Sequence, residues 1–178
     1  MDVLDHLIDE HRQVEVMLEK LAASEEGPSR ETTLRELTTS LSTHMKVEER
    51  FVYPIVRDVV GEEDEQEAET EHGLTREGLT KLHQLVDAPG FGAAVDMITA
   101  GIKHHVDEEE KEIFPQLRDK AQDRLAELGD PDDLEQRVTS DDGSAGPTKL
   151  ELYEEAKEAG IVGRSTMSKD ELAKALDK

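Results

Sequence analysis

The chain has no cysteine and no tryptophan, and only two tyrosines and three phenylalanines. Without thiols there is no disulfide, thiolate zinc site, iron–sulfur cluster or cysteine nucleophile. So few aromatic residues argue against a sandwich or barrel, whose strands draw on aromatic and β-branched side chains. No apolar run approaches the roughly 20 residues that a membrane-spanning helix needs. The start, MDVLDHLIDEH, is acidic and amphipathic and does not read as a secretory signal. A cytoplasmic protein with no membrane partner is therefore expected. Positive charge is scarce too: 21 Lys and Arg stand against 44 Asp and Glu, for a net charge of −23. A surface of that sign repels phosphates, so the acidic part of the chain is not expected to bind nucleic acid. The imbalance stops near Thr148, after which six Lys and Arg face seven Asp and Glu.

Ala, Leu, Glu and Lys dominate what is present, which favours helices. Within them one pattern occurs twice. His44-Met45-Lys46-Val47-Glu48 is followed by Pro54, ten residues after its histidine, and His105-Val106-Asp107-Glu108-Glu109 by Pro115 at the same distance. Both are His-x3-Glu, which on a helix puts imidazole and carboxylate one turn apart on one face. The 61-residue offset also carries His11 onto His72, Glu10 onto Glu71, Leu18 onto Leu79 and Leu21 onto Leu82. An internal repeat of this kind implies two copies of one supersecondary unit.

Apolar spacing predicts four long helices: residues 2–23, Ser29 to Val59, an acidic start at Glu62 running to Val86, and Phe91 to Leu128. Ser29 is the expected N-cap of the second, and Pro54 and Pro115 are expected to kink their helices. His11 completes the series 4, 7, 11, 14, 18, 21 on the first helix. His44 and Glu48 interrupt the leucine stripe of the second, His72 falls on that of the third, and His105 and Glu109 on that of the fourth. Short connections give an all-α, up-down-up-down four-helix bundle over residues 1–128. Residues 129–147 read as a linker, and 148–178 as a small module of two helices.

The inward histidines and glutamates meet at one level of such a bundle. Four nitrogens and two carboxylates, His11, His44, Glu48, His72, His105 and Glu109, are too many for one tetrahedral zinc. They suit two cations, each with two imidazoles and both spanned by the carboxylates, and nitrogen/oxygen donors of this kind fit iron or manganese. Uncompensated, such buried groups would cost a domain of this size much of its stability. His6, His83 and His104 have no histidine mate under the offset and are expected in supporting or surface roles. Tyr53 and Phe114 correspond across the repeat and are expected to pack.

These residues resemble a family. The stretches DEHRQVEVMLEKL, THMKVEERFVYPIV, TEHGLTREGLTKL and KHHVDEEEKEIFPQL look like a hemerythrin-like protein of the HHE cation-binding type. The resemblance implies a non-haem di-iron centre with an oxo or hydroxo bridge, manganese or zinc being lesser fits. It implies four terminal histidines and Glu48 and Glu109 as bridges. The expected ligand is dioxygen, nitric oxide or peroxide, which the protein binds or senses; an enzyme consuming peroxide or reducing oxygen or nitric oxide, or an iron-handling protein, is the alternative. Two departures from the oxygen carriers stand out: Arg76 occupies the place of a further histidine, and Glu110 rather than Glu109 has their five-residue spacing. Candidates for an additional oxygen ligand are Glu15, Tyr53, Glu110 and water.

The segment LYEEAKEAGIVGRSTMSKDELAKAL resembles the helix-extended-loop-helix module of the Rho N-terminus and of SAP-like domains. That resemblance implies nucleic acid or a protein as partner, with Lys149, Lys157, Arg164, Lys169 and Lys174 as the candidate phosphate contacts.

Overall fold

The computed structural model describes residues 2–140, 152, 155, 156, 159, 161 and 169–176. Among these, every regular element is a helix. Helix α1 spans Val3–Ala22, and the carboxylate of Asp2 caps it by accepting from the Asp5 N–H at 2.8 Å. Helix α2 (Pro28–Val47) begins just ahead of the expected Ser29 cap. Proline is well placed in a first helical turn, where its missing N–H costs nothing. Gly27, at φ 136°, makes the turn that delivers it.

Neither proline kinks its helix in the expected way. A π-turn, Glu48–Val52, lies between α2 and α3 (Tyr53–Val59), and the Tyr53 N–H donates to the Glu48 carbonyl five residues back. Helix α4 covers Glu62–Leu85 and α5 covers Phe91–Glu108. A second π-turn, Glu109–Ile113, precedes α6 (Phe114–Lys120), with the Phe114 N–H on the Glu109 carbonyl. Each proline thus falls in the first turn of a fresh helical segment, and the irregularity comes before it as a widened turn.

The four long segments α1, α2–α3, α4 and α5–α6 form the bundle. α1 packs on α2 and α5, and α4 packs on α5, α3 and α2. A Cβ at Gly78 would lie 3.0 Å from Ile98 Cδ1, so this glycine lets α4 and α5 approach closely. The core has two apolar layers. One holds Leu4, Leu7, Val52, Ile55, Ala68, Ile113 and Leu117; the other holds Val14, Leu18, Leu37, Leu41, Leu79, Leu82, Ile98 and Ile102.

The stretch expected to be a linker starts otherwise. After α7 (Gln122–Leu128), residues Pro131–Ser140 form helix α8, whose Pro131, Leu134 and Val138 are buried. The Asp130 carboxylate accepts from the Asp132 N–H at 3.0 Å, and Leu134 and Val138 join the first apolar layer. The spacing 131, 134, 138 is helical, but too short to stand out against the turn-forming residues around it. The first compact unit therefore runs Met1–Thr139, and a second runs Ser140–Lys178. Within the second, Leu152, Ala156 and Leu172 are buried together, Leu172 on helix α9 (Lys169–Ala175). Lys174 is exposed. Lys149, Lys157, Arg164, the side chain of Lys169 and residues 141–147 of the expected linker lie outside what is described. No helix among the described residues is long and apolar enough to cross a membrane.

Candidate metal centre

Between the two apolar layers lies a polar one. On α1, His11 sits between Leu7 of one layer and Val14 of the other; on α4, His72 sits between Ala68 and Leu79. His44 and His105 arrive from the last turns of α2 and α5, and Glu48 and Glu109 are the first residues of the π-turns. All six are buried, the two glutamates completely.

Their mutual geometry is that of a shared centre. His11 Nε2 is 3.1 Å from His44 Nε2, and His72 Nε2 is 3.1 Å from His105 Nε2. Each glutamate joins the two pairs. Glu48 Oε2 lies 3.2 Å from His44 Nε2 and 3.3 Å from His72 Nε2, while Glu109 Oε2 lies 3.4 Å from His11 Nε2 and 3.5 Å from His105 Nε2.

Every imidazole is held from behind by a carboxylate. His44 Nδ1 pairs with Glu10 at 3.0 Å and His105 Nδ1 with Glu71 at 2.8 Å. His11 Nδ1 pairs with Glu110 at 2.9 Å and His72 Nδ1 with Glu49 at 2.9 Å. With the proton on Nδ1, each Nε2 turns a lone pair toward the centre, as a metal-binding histidine requires. The four outer carboxylates obey the same offset as the histidines. Glu10 and Glu71 precede His11 and His72, and Glu49 and Glu110 follow Glu48 and Glu109. The repeat marked Glu10 and Glu71 without a role, Glu49 was missed, and Glu110 had been a candidate ligand.

The electrostatics require compensation. Glu48 Oε1, Glu48 Oε2 and Glu109 Oε2 are buried and accept no hydrogen bond. Burial pushes the Glu48 carboxyl well above its usual range, and the charge of Glu109 adds to that. Burial acts on Glu109 in the same direction, but the His105 and His11 imidazoles outweigh it and hold the group down to about 2. One carboxylate thus stays charged, and its neighbour is acidic only if positive charge comes between them. Burial also lowers His44 and, more strongly, His72, keeping both neutral and able to donate a lone pair. Buried carboxylate oxygens without hydrogen bonds, set against imidazole nitrogens, fit a cation pair.

The repeat breaks at Tyr53. Its hydroxyl is fully buried, 3.0 Å from His72 Nε2, and donates to Glu109 Oε1 at 3.1 Å. Tyr53 stands five residues after Glu48, which in a plain α-helix would rotate it about 140° off that face. The π-turn takes up the difference and brings it inward. Its mate Phe114 stacks on His11 with ring centroids 6.2 Å apart. Of the other oxygen candidates, Glu15 is an exposed partner of Arg12, and Glu110 is occupied by His11 and Arg12. Arg76 points to Glu49 at 2.7 Å. His6 pairs with Glu135 of α8, His83 with Thr38 at 2.9 Å, and His104 stays exposed at 3.4 Å from Glu71 and Glu108.

The hemerythrin HHE cation binding domain matches residues 2–117. The chain belongs to that family. The matched residues cover the whole polar layer and the four long bundle segments as far as Leu117, within α6. A protein of Nostoc sp. named DNA nickase is 26% identical over 119 residues, and an uncharacterised hemerythrin-like protein of Schizosaccharomyces pombe is also 26% identical over 119 residues. The matches take in 66% and 65% of this chain but only 34% and 59% of those relatives. No solved structure matches the chain. As a cation-binding domain with buried His/Glu groups, the hemerythrin unit carries a candidate metal site.

Proposed function

We propose that the hemerythrin domain holds two iron ions and takes dioxygen, nitric oxide or peroxide there as a small ligand. His11 and His44 would serve one ion and His72 and His105 the other, with Glu48 and Glu109 spanning both. The observation that carries this reading is the position of each glutamate Oε2 against one imidazole from each pair. Bound iron would supply Lewis acidity and redox reach. The chain does the rest. Outer carboxylates fix the imidazole tautomers. Apolar layers above and below exclude water. Burial and the charge of Glu109 keep the Tyr53 hydroxyl protonated, so a proton is held on an oxygen 3.1 Å from Glu109 Oε1.

That held proton favours one second reading, turnover of peroxide rather than reversible binding. The visible spectrum of the iron-loaded protein separates the two. A band that appears with oxygen and fades on its removal is expected for binding; steady consumption of added peroxide assigns turnover. Elemental analysis finding no bound metal would sink both.

DNA nicking stays with the Nostoc relative, because the acidic hemerythrin domain repels phosphate. For the segment from Thr148 onward, nucleic acid or a protein is the partner we infer from its resemblance to the Rho N-terminal and SAP-like modules, and binding of the full chain to duplex DNA at two salt concentrations tests it.

A further inference from the structure

The two half-sites are alike in ligands and unlike in their surroundings. Beside His105 and Glu109 lies a cavity of about 70 Å3 between α4 and the junction of α5 with its π-turn. That is room for several waters, since a single one needs roughly 10–15 Å3 by this measure. Asp64, Glu67, Glu71, Glu108 and Glu112 line it. Exposure falls stepwise inward: Glu67 and Glu112 are exposed, Asp64, Glu71 and Glu108 are half-buried, and His105 and Glu109 form a buried floor. No lysine or arginine is among the lining residues. Glu109 lines the cavity, is completely buried and has one carboxylate oxygen, Oε2, that accepts no hydrogen bond.

The same place on the other half-site is shut. The 61-residue offset carries Asp64 onto Val3, Glu108 onto Val47 and Glu112 onto Phe51. All three counterparts are buried in one apolar layer with Leu134 and Val138 of α8. Glu67 maps onto His6, which Glu135 of α8 engages. Phe51 is covered by Arg137, 4.4 Å from its ring. Among the described residues, one wall of the duplicated site is thus acidic and hollow and the equivalent wall is apolar and sealed.

We propose that this mouth is the route by which divalent cations load the inner centre. Glu67, Glu112 and Asp64 draw the ion from solution by their field. Glu71, His104 and Glu108, whose donor atoms lie within 4.8 Å of one another, hold it in transit outside the floor formed by Glu109. The route rests on the two-cation reading above, since it needs a centre to fill.

The test uses the metal-free full chain mixed with Co2+, followed by the growth of the cobalt visible band and by cobalt content at the end point. Replacing the outer carboxylates together, Asp64→Asn/Glu67→Gln/Glu112→Gln, should slow loading about tenfold at low salt, the lower end of electrostatic steering effects. Final cobalt content should not change. The advantage of the unaltered chain should shrink as salt is raised. A charge-matched control at the opposite end of the bundle, Glu25→Gln/Glu26→Gln/Glu31→Gln, should load within twofold of the unaltered rate. Equal rates for the mouth variant and the unaltered chain, or equal slowing by the control, would overturn the route while leaving the centre intact. An unaltered chain that takes up no cobalt would overturn the centre itself.

Discussion

The first hairpin, α1 with α2–α3, and the second, α4 with α5–α6, present the same inner groups from the same positions. Each gives His, His-x3-Glu and two outer carboxylates. They differ in what was not duplicated. Tyr53 stands against His72 where Phe114 stands against His11. The first half is sealed by Val3, Val47, Phe51 and α8, and the second opens on carboxylates. On the two proposals above this is a division of labour: the repeated residues would define what can be held, and the unrepeated ones access and proton supply.

The largest expected effect treats the halves as equal. His44→Ala and His105→Ala each remove one imidazole from a different pair, and both should lose bound iron. Release of a tightly bound ligand forfeits about 4 kcal/mol when it was present at a thousand times its Kd. For a chain of this size that lowers Tm by about 10 °C. His83→Ala, which removes a side chain hydrogen-bonded to Thr38 away from the centre, should change neither iron content nor Tm appreciably. Elemental analysis giving all three variants the same iron content would refute the symmetric centre.

A smaller effect should expose the asymmetry. Tyr53→Phe removes a hydroxyl that two buried groups use, at a cost of about 1–3 kcal/mol to the metal-free protein in urea unfolding. It should also alter the visible spectrum of the iron-loaded form. Phe114→Leu should cost a similar amount through packing and leave the spectrum alone. If the Tyr53→Phe spectrum matches that of the unaltered protein, Tyr53 only fills space.

The smallest effect is a titration of repeat mates. In the metal-free protein burial lowers His44, beginning from 6.5. Burial opposes charge on His105 too, but Glu109, Glu71 and Glu108 outweigh it and raise this group above 6.5. Linkage then gives opposite signs. The stability due to His105 is full below 6.5 and is lost as pH rises through its raised value. That due to His44 is full above 6.5 and is lost as pH falls through its lowered value. Imidazole resonances followed by NMR should titrate in the order His44, then His105, as pH rises; coincident midpoints would show the two halves to be electrostatically equal.

Much of the fold was legible because helical periodicity is a property of the line of residues. The series 4, 7, 11, 14, 18, 21 turned His11 inward as surely as its leucines, and the offset did the same for His72 and His105. Helix α8 was not legible, because Asp130, Asp132 and Asp133 around it favour turns and only burial against the first apolar layer gives Leu134 and Val138 a reason to be helical. Glu49 was not legible either: it reaches His72 across 23 residues of chain, and nothing local distinguishes it from a solvated glutamate.

By itself the sequence determined the four long helical stretches of the bundle, the repeat and the inward placement of four histidines and two glutamates, since each follows from spacing along one chain. The tertiary structure decided the rest. The π-turns rotated Tyr53 onto the inner face, neighbouring helices placed a carboxylate behind every imidazole, and α8 sealed one half-site while the other kept its acidic mouth. Those outcomes depend on which helices meet and at what rotation, and that is settled by packing across the bundle.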